Sequence, residues 1–112
     1  MGKFDDTVSM YKAEMDKLGL KYDATLFTAV TKACGPSIYL ADASKVSSSD
    51  QAELDRVKNN FLVKKLGLAN DAKLDAGIKA VVDQLGASNK NKYRAIFYYL
   101  LTKHFKKESV FK

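Results

Sequence analysis

The sequence predicts an all-α protein, a compact single-domain bundle of about five amphipathic helices spanning residues 1–112. Three observations predict it. Apolar residues recur at steps of three and four in five separate stretches, a polar cap candidate stands ahead of those stretches and a glycine follows each of the first four, and no segment alternates apolar and polar residues as a strand does. With 46% hydrophobic and 29% charged residues, the chain has the composition of one folded domain, and no Pro- or Gly-rich linker divides it.

The first helix carries Phe4, Val8, Tyr11, Met15 and Leu18 on one face and stops at Gly19, which suits a left-handed cap. The second opens at Asp23 as N-cap, carries Leu26, Phe27, Val30 and Cys34, and ends at Gly35 with Pro36 just beyond. The third follows "SSSD" and carries Leu54, Val57, Phe61 and Leu62 up to Gly67. Ser48 with Gln51, or Asp50 with Glu53, has the spacing of a capping box. Acids at its start and Lys64 and Lys65 at its end complement the helix dipole. The fourth runs from Asp71 through Leu74, Ile78, Val81, Val82 and Leu85 to Gly86. The fifth lies in "SNKNKYRAIFYYLLTKHFKK", with Tyr93, Ile96, Phe97, Leu100, Leu101 and His104 on one broad face.

Between the second and third helices the fourteen residues Gly35 to Ser48 exceed the roughly 2 to 8 of an ordinary helix connection. Pro36 suits the first position of a short helical turn through Leu40, so the stretch reads as a junction plugged by Ile38, Tyr39 and Leu40. Function concentrates on positioned loops, which makes Tyr39, Asp42, Ser44 and Lys45 the candidate ligand- or partner-binding residues.

Charge is unevenly distributed. Residues 1–88 balance twelve basic against twelve acidic residues, whereas residues 89–112 hold seven basic residues and one acid, so the net charge of +6 lies in the last 24 residues. On a helical wheel Lys92, Tyr99, Lys103 and Lys106 form a cationic stripe opposite the apolar face. The plain reading is a solvated face; the functional one is nucleic-acid binding, with lysines neutralising phosphates and Tyr99 stacking on a base.

Catalytic and metal chemistry find little support. His104, the only histidine, falls on the apolar face and reads as packed in the core. Cys34, the only cysteine, excludes an internal disulfide and reads as buried. No zinc spacing, calcium loop or phosphate-binding glycine loop is present, so neither a metal nor a cofactor is expected. The N-terminal "MGKFDDT" lacks the apolar core of a signal peptide and no stretch approaches a membrane span, which leads to the expectation of a cytoplasmic protein without membrane contact.

The segments "GPSIYLADASKVSSSDQAELDRVKNNFLVKKLGL" and "SNKNKYRAIFYYLL" resemble a small bacterial family of unknown function, DUF2853, over almost the whole chain. The resemblance implies a short stand-alone bacterial protein with no established activity, and so brings no catalytic residues. The functional expectation is a helical binding or protein-interaction module without catalytic activity, acting on a protein partner or by self-association. Weak, sequence-tolerant nucleic-acid binding through the basic last helix is the alternative. An enzyme using Cys34 or the Tyr39–Lys45 loop ranks third, for want of a paired base.

Overall fold

Among the described residues, five helices and two short 3₁₀ turns make up the fold. The computed structural model describes residues 2–40, 44–47, 50–86 and 92–111. In chain order these are α1 (Lys3–Lys17), α2 (Ala24–Ala33), a 3₁₀ turn (Gly35–Tyr39), α3 (Gln51–Arg56) continuing as a π-helical segment (Val57–Val63), α4 (Ala72–Leu85), α5 (Arg94–His104) and a second 3₁₀ turn (Glu108–Phe111). The all-α expectation holds, and no strand occurs among the described residues.

Local chemistry explains most of the boundaries. The Asp23 carboxylate accepts the N–H groups of Thr25 and Leu26, Asp50 accepts that of Ala52, and Asp71 that of Lys73, so α2, α3 and α4 each have a side-chain cap. Gly19, Gly35, Gly67 and Gly86 all adopt positive φ, which ends the preceding helical segments as expected. The expectation of a polar cap fails at α1 and α5, whose N-cap positions, Gly2 and Tyr93, make no side-chain cap hydrogen bond. The backbone holds the start of α5 instead. Arg94 donates its N–H to the Ser44 carbonyl and Val46 donates to the Lys92 carbonyl, both at 2.7 Å, around an isolated antiparallel bridge between Lys45 and Tyr93. The Asp50–Glu53 capping box does not form at α3, because the Glu53 carboxylate turns to Arg56 and Arg94, while Ser48 of the alternative pair lies outside the described residues.

Helix α5 is the hub, packed against α2, α4 and α1. Its buried residues Ala95, Ile96, Phe97, Tyr99, Leu100, Leu101 and Thr102 lie on both faces of the helix rather than on one. This overturns the exposed cationic stripe. Lys92 is 2% exposed and Tyr99 1%, leaving only Lys103 and Lys106 of the four in solvent. The Tyr99 ring meets Phe27 edge-on at 5.5 Å, and its hydroxyl accepts the Asp23 N–H at 2.7 Å, tying α5 to the start of α2. His104 is likewise corrected. It closes α5 where the helix leaves the core, is exposed, and meets the Phe105 ring edge-on.

Gly77 in α4 permits a close approach. A Cβ there would lie 2.3 Å from Phe105 Cζ, so the absence of a side chain lets the end of α5 seat on α4.

Candidate binding cleft

The Arg94 guanidinium organises the site. It donates to Glu53 Oε1 at 2.7 Å and to the Tyr98 hydroxyl at 2.9 Å, while Arg56 donates to Glu53 Oε2 at 2.8 Å. Both arginines of the chain thus meet one carboxylate. The Glu53 and Arg94 side chains are only 13% and 14% exposed, so this pair joins α3 to α5 in a partly desolvated setting where hydrogen-bonded charges hold firmly. Burial pulls the Glu53 carboxyl upward, but the hydrogen bonds from Arg56 and Arg94 hold it below the usual range. Burial also works against the charge on Arg94, yet Tyr98 and Glu53 keep its pKa raised.

A cleft of about 450 Å³ opens beside this network, within the range of small-molecule sites. The end of α2 contributes Ala33 and Cys34, the π-helical segment Asn60 and Phe61, the turn after it Lys65, and α5 Arg94 and Tyr98. Phe61 stacks on Tyr98 with centroids 4.1 Å apart and planes at 15°, and Phe111 lies beyond it at 6.3 Å. The result is a largely apolar hollow with an aromatic wall and cationic groups around it.

The π-helical segment shapes this wall. The N–H of Leu66 reaches the carbonyl of Phe61, and that of Lys64 reaches Asn59, five residues back. Each wide turn accommodates an extra residue, so Val57, Phe61, Leu62 and Leu66 are all buried while Asn60 still faces the cleft.

Cys34 offers the one thiol in the cleft. Burial pushes its pKa up to about 12, against a smaller opposing effect of the Arg94 guanidinium, so the thiol stays neutral. Burial likewise raises that of the Tyr98 phenol. Among the described residues, no group of three or more His, Cys, Asp or Glu is placed to hold a metal ion, and no helix is long and apolar enough to cross a membrane.

The loop residues singled out from sequence occupy a different region. Asp42 lies outside the described residues. Ser44 is 8% exposed and its backbone is engaged on both sides, accepting from Arg94 and donating to the Leu40 carbonyl at 2.8 Å. Tyr39 and Lys45 are half-buried: the Lys3 ammonium lies over the Tyr39 ring at 4.7 Å, and that of Lys45 over Tyr93 at 5.6 Å. The loop therefore contributes indirectly, because Ser44 fixes the backbone from which Arg94 reaches into the cleft wall. Sequence reasoning missed Asn60, Phe61, Lys65, Arg94 and Tyr98 as a group. One signal pointed to Arg94: the chain uses arginine only twice against a background of lysine, and a guanidinium is the residue suited to a fixed fork.

No curated protein matches this chain. The profile of a family described as a protein of unknown function, DUF2853, matches residues 10–109, and the chain belongs to that family.

Proposed function

We propose that this protein is a non-catalytic binding module whose ligand, or a partner's side chain, is received in the cleft between the end of α2, the π-helical segment and α5. The observation that carries this reading is convergence: residues from across the sequence, 33 to 98, meet in one hollow whose aromatic wall is held by the Glu53–Arg94–Tyr98 network. Its one nucleophile candidate supports binding rather than catalysis, since a thiol with a pKa of about 12 is a poor nucleophile at neutral pH. A set of small aromatic fragments, followed in ¹H–¹⁵N correlation spectra, tests it. Shift changes should cluster at Ala33, Asn60, Phe61 and Tyr98, and fragments settling elsewhere or nowhere would reject the site.

A second reading retains weak nucleic-acid binding, favoured by the C-terminal concentration of positive charge and the exposure of Lys103 and Lys106. Tyr99, enclosed by the bundle, takes no part in it. Fluorescence anisotropy of labelled duplex DNA and single-stranded RNA at low salt decides the matter. Binding that is lost in a Lys103→Glu, Lys106→Glu variant supports this reading, and no binding removes it.

A further inference from the structure

We infer that the cleft's ligand is a carboxylate with an aromatic or branched apolar body, its body held against Phe61 and Tyr98 and its charge met by Lys65. This rests on the cleft being the binding site. Two independent features lead to it. The first is the sign of the charge around the hollow: Lys65 and Arg94 line it, and no acidic residue does. The nearby carboxylate, Glu53, is turned to Arg94 and Arg56 and is largely covered, so it compensates the arginines and leaves Lys65 alone. Among the described residues no carboxylate lies within ion-pair distance of the Lys65 ammonium, which sits 5.4 Å from the centre of the Phe111 ring.

The second feature is the lining itself. The face-to-face pair of Phe61 and Tyr98, with Ala33 and Cys34 also in the lining, forms an apolar bed for a ring or a branched chain. Asn60 adds an amide able to donate to a carboxylate oxygen. The two acidic hydrogens of the cleft stay on their atoms at neutral pH, because burial raises the pKa values of both the Cys34 thiol and the Tyr98 phenol. No negative charge therefore forms in the wall to repel an anion. An apolar body beside one anionic group satisfies both features together. Inorganic phosphate would bring a second charge and no apolar surface, and a cation would meet Lys65 and Arg94.

Two sources present this chemistry, a free aromatic or branched acid and the C-terminal residue of a partner chain. The protein is titrated with N-acetyl-phenylalanine, with N-acetyl-phenylalanine amide, and with a tetrapeptide Gly-Gly-Ser-Phe bearing a free carboxylate, and amide shifts at Phe61, Lys65 and Tyr98 are followed. The acid is expected to bind roughly 5-fold more tightly than the amide, as a partly exposed ion pair contributes. Lys65→Gln should lower the acid to the level of the amide and leave the amide unchanged; Lys65 is exposed, so the fold survives the change. Tighter binding of the tetrapeptide than of the small acid identifies a chain terminus, and weaker binding a free acid. Equal affinity for acid and amide, or an acid indifferent to Lys65→Gln, overturns the inference while leaving the cleft as a binding site. Failure of every probe to perturb these residues overturns both.

Discussion

Replacing Gly77 by alanine asks whether the seat of α5 on α4 depends on a missing side chain. Taken alone, alanine is the better helix former by about 1 kcal/mol in a helix interior. In the folded bundle its Cβ would stand 2.3 Å and 2.7 Å from Phe105 Cζ and Cε2, and 3.1 Å from His104 Cδ2. Carbon atoms rest at about 3.5 Å, so the ring tip must retreat by roughly 1.2 Å. Phe105 is tethered by its N–H to the Leu101 carbonyl and half-buried, which limits this retreat to a rotation that exposes part of the ring. Overpacking of this kind costs about 2 kcal/mol, so Gly77→Ala should destabilise the protein by about 1 kcal/mol net. With Phe105→Ala in place the obstruction is gone, and the same glycine change should stabilise by up to about 1 kcal/mol. A four-member cycle of urea denaturation followed by circular dichroism measures the coupling, expected near 2 kcal/mol. Stabilisation by Gly77→Ala of equal size in both backgrounds would refute the close approach.

Three further outcomes follow from the site and its supports. Glu53 has a lowered folded-state pKa, so its contribution is fully present above the ordinary glutamate range and is lost as the pH falls through the lowered folded value. Glu53→Gln should remove about 2 kcal/mol at pH 7, and acid titration of unfolding should show a shallower loss of stability in the variant than in the natural chain. With its pKa raised from 9.0 to about 12, the Cys34 thiol should have a thiolate fraction roughly 10³-fold below an unperturbed cysteine; modification by an uncharged disulfide reagent at the rate of a free thiol would contradict this. Tyr99→Phe should cost about 1 kcal/mol in urea denaturation, because the Asp23 N–H loses its acceptor, and it should leave any salt-sensitive nucleic-acid binding unchanged.

The sequence by itself determined which segments are helical and where most of them stop. Asp23, Asp50 and Asp71 cap their helices and four glycines take positive φ, because these effects are local and act through backbone groups a few residues away. Apolar spacing also named much of the core, Tyr11, Met15, Phe27, Leu74 and Ile78 among them. The π-helical segment left a trace that is visible in retrospect. Val57 and Leu66 lie roughly 180° apart on an α-helical wheel, yet both are buried, which a wider turn reconciles.

What only the tertiary structure decided was the fate of α5 and, with it, the site. A helical wheel separates one face from the other, but it contains no information about how many neighbours a helix has. Because α2, α4 and α1 all pack on α5, its second face is buried too, which encloses Tyr99 and leaves the terminal His104 outside. The cleft depends on the same long-range placement: Glu53 and Arg94 are 41 residues apart, and nothing in the local spacing of either predicts their pairing. Local hydrogen bonding and periodicity are properties of short windows of chain, whereas the pairing of distant side chains is set by the packing of the whole bundle.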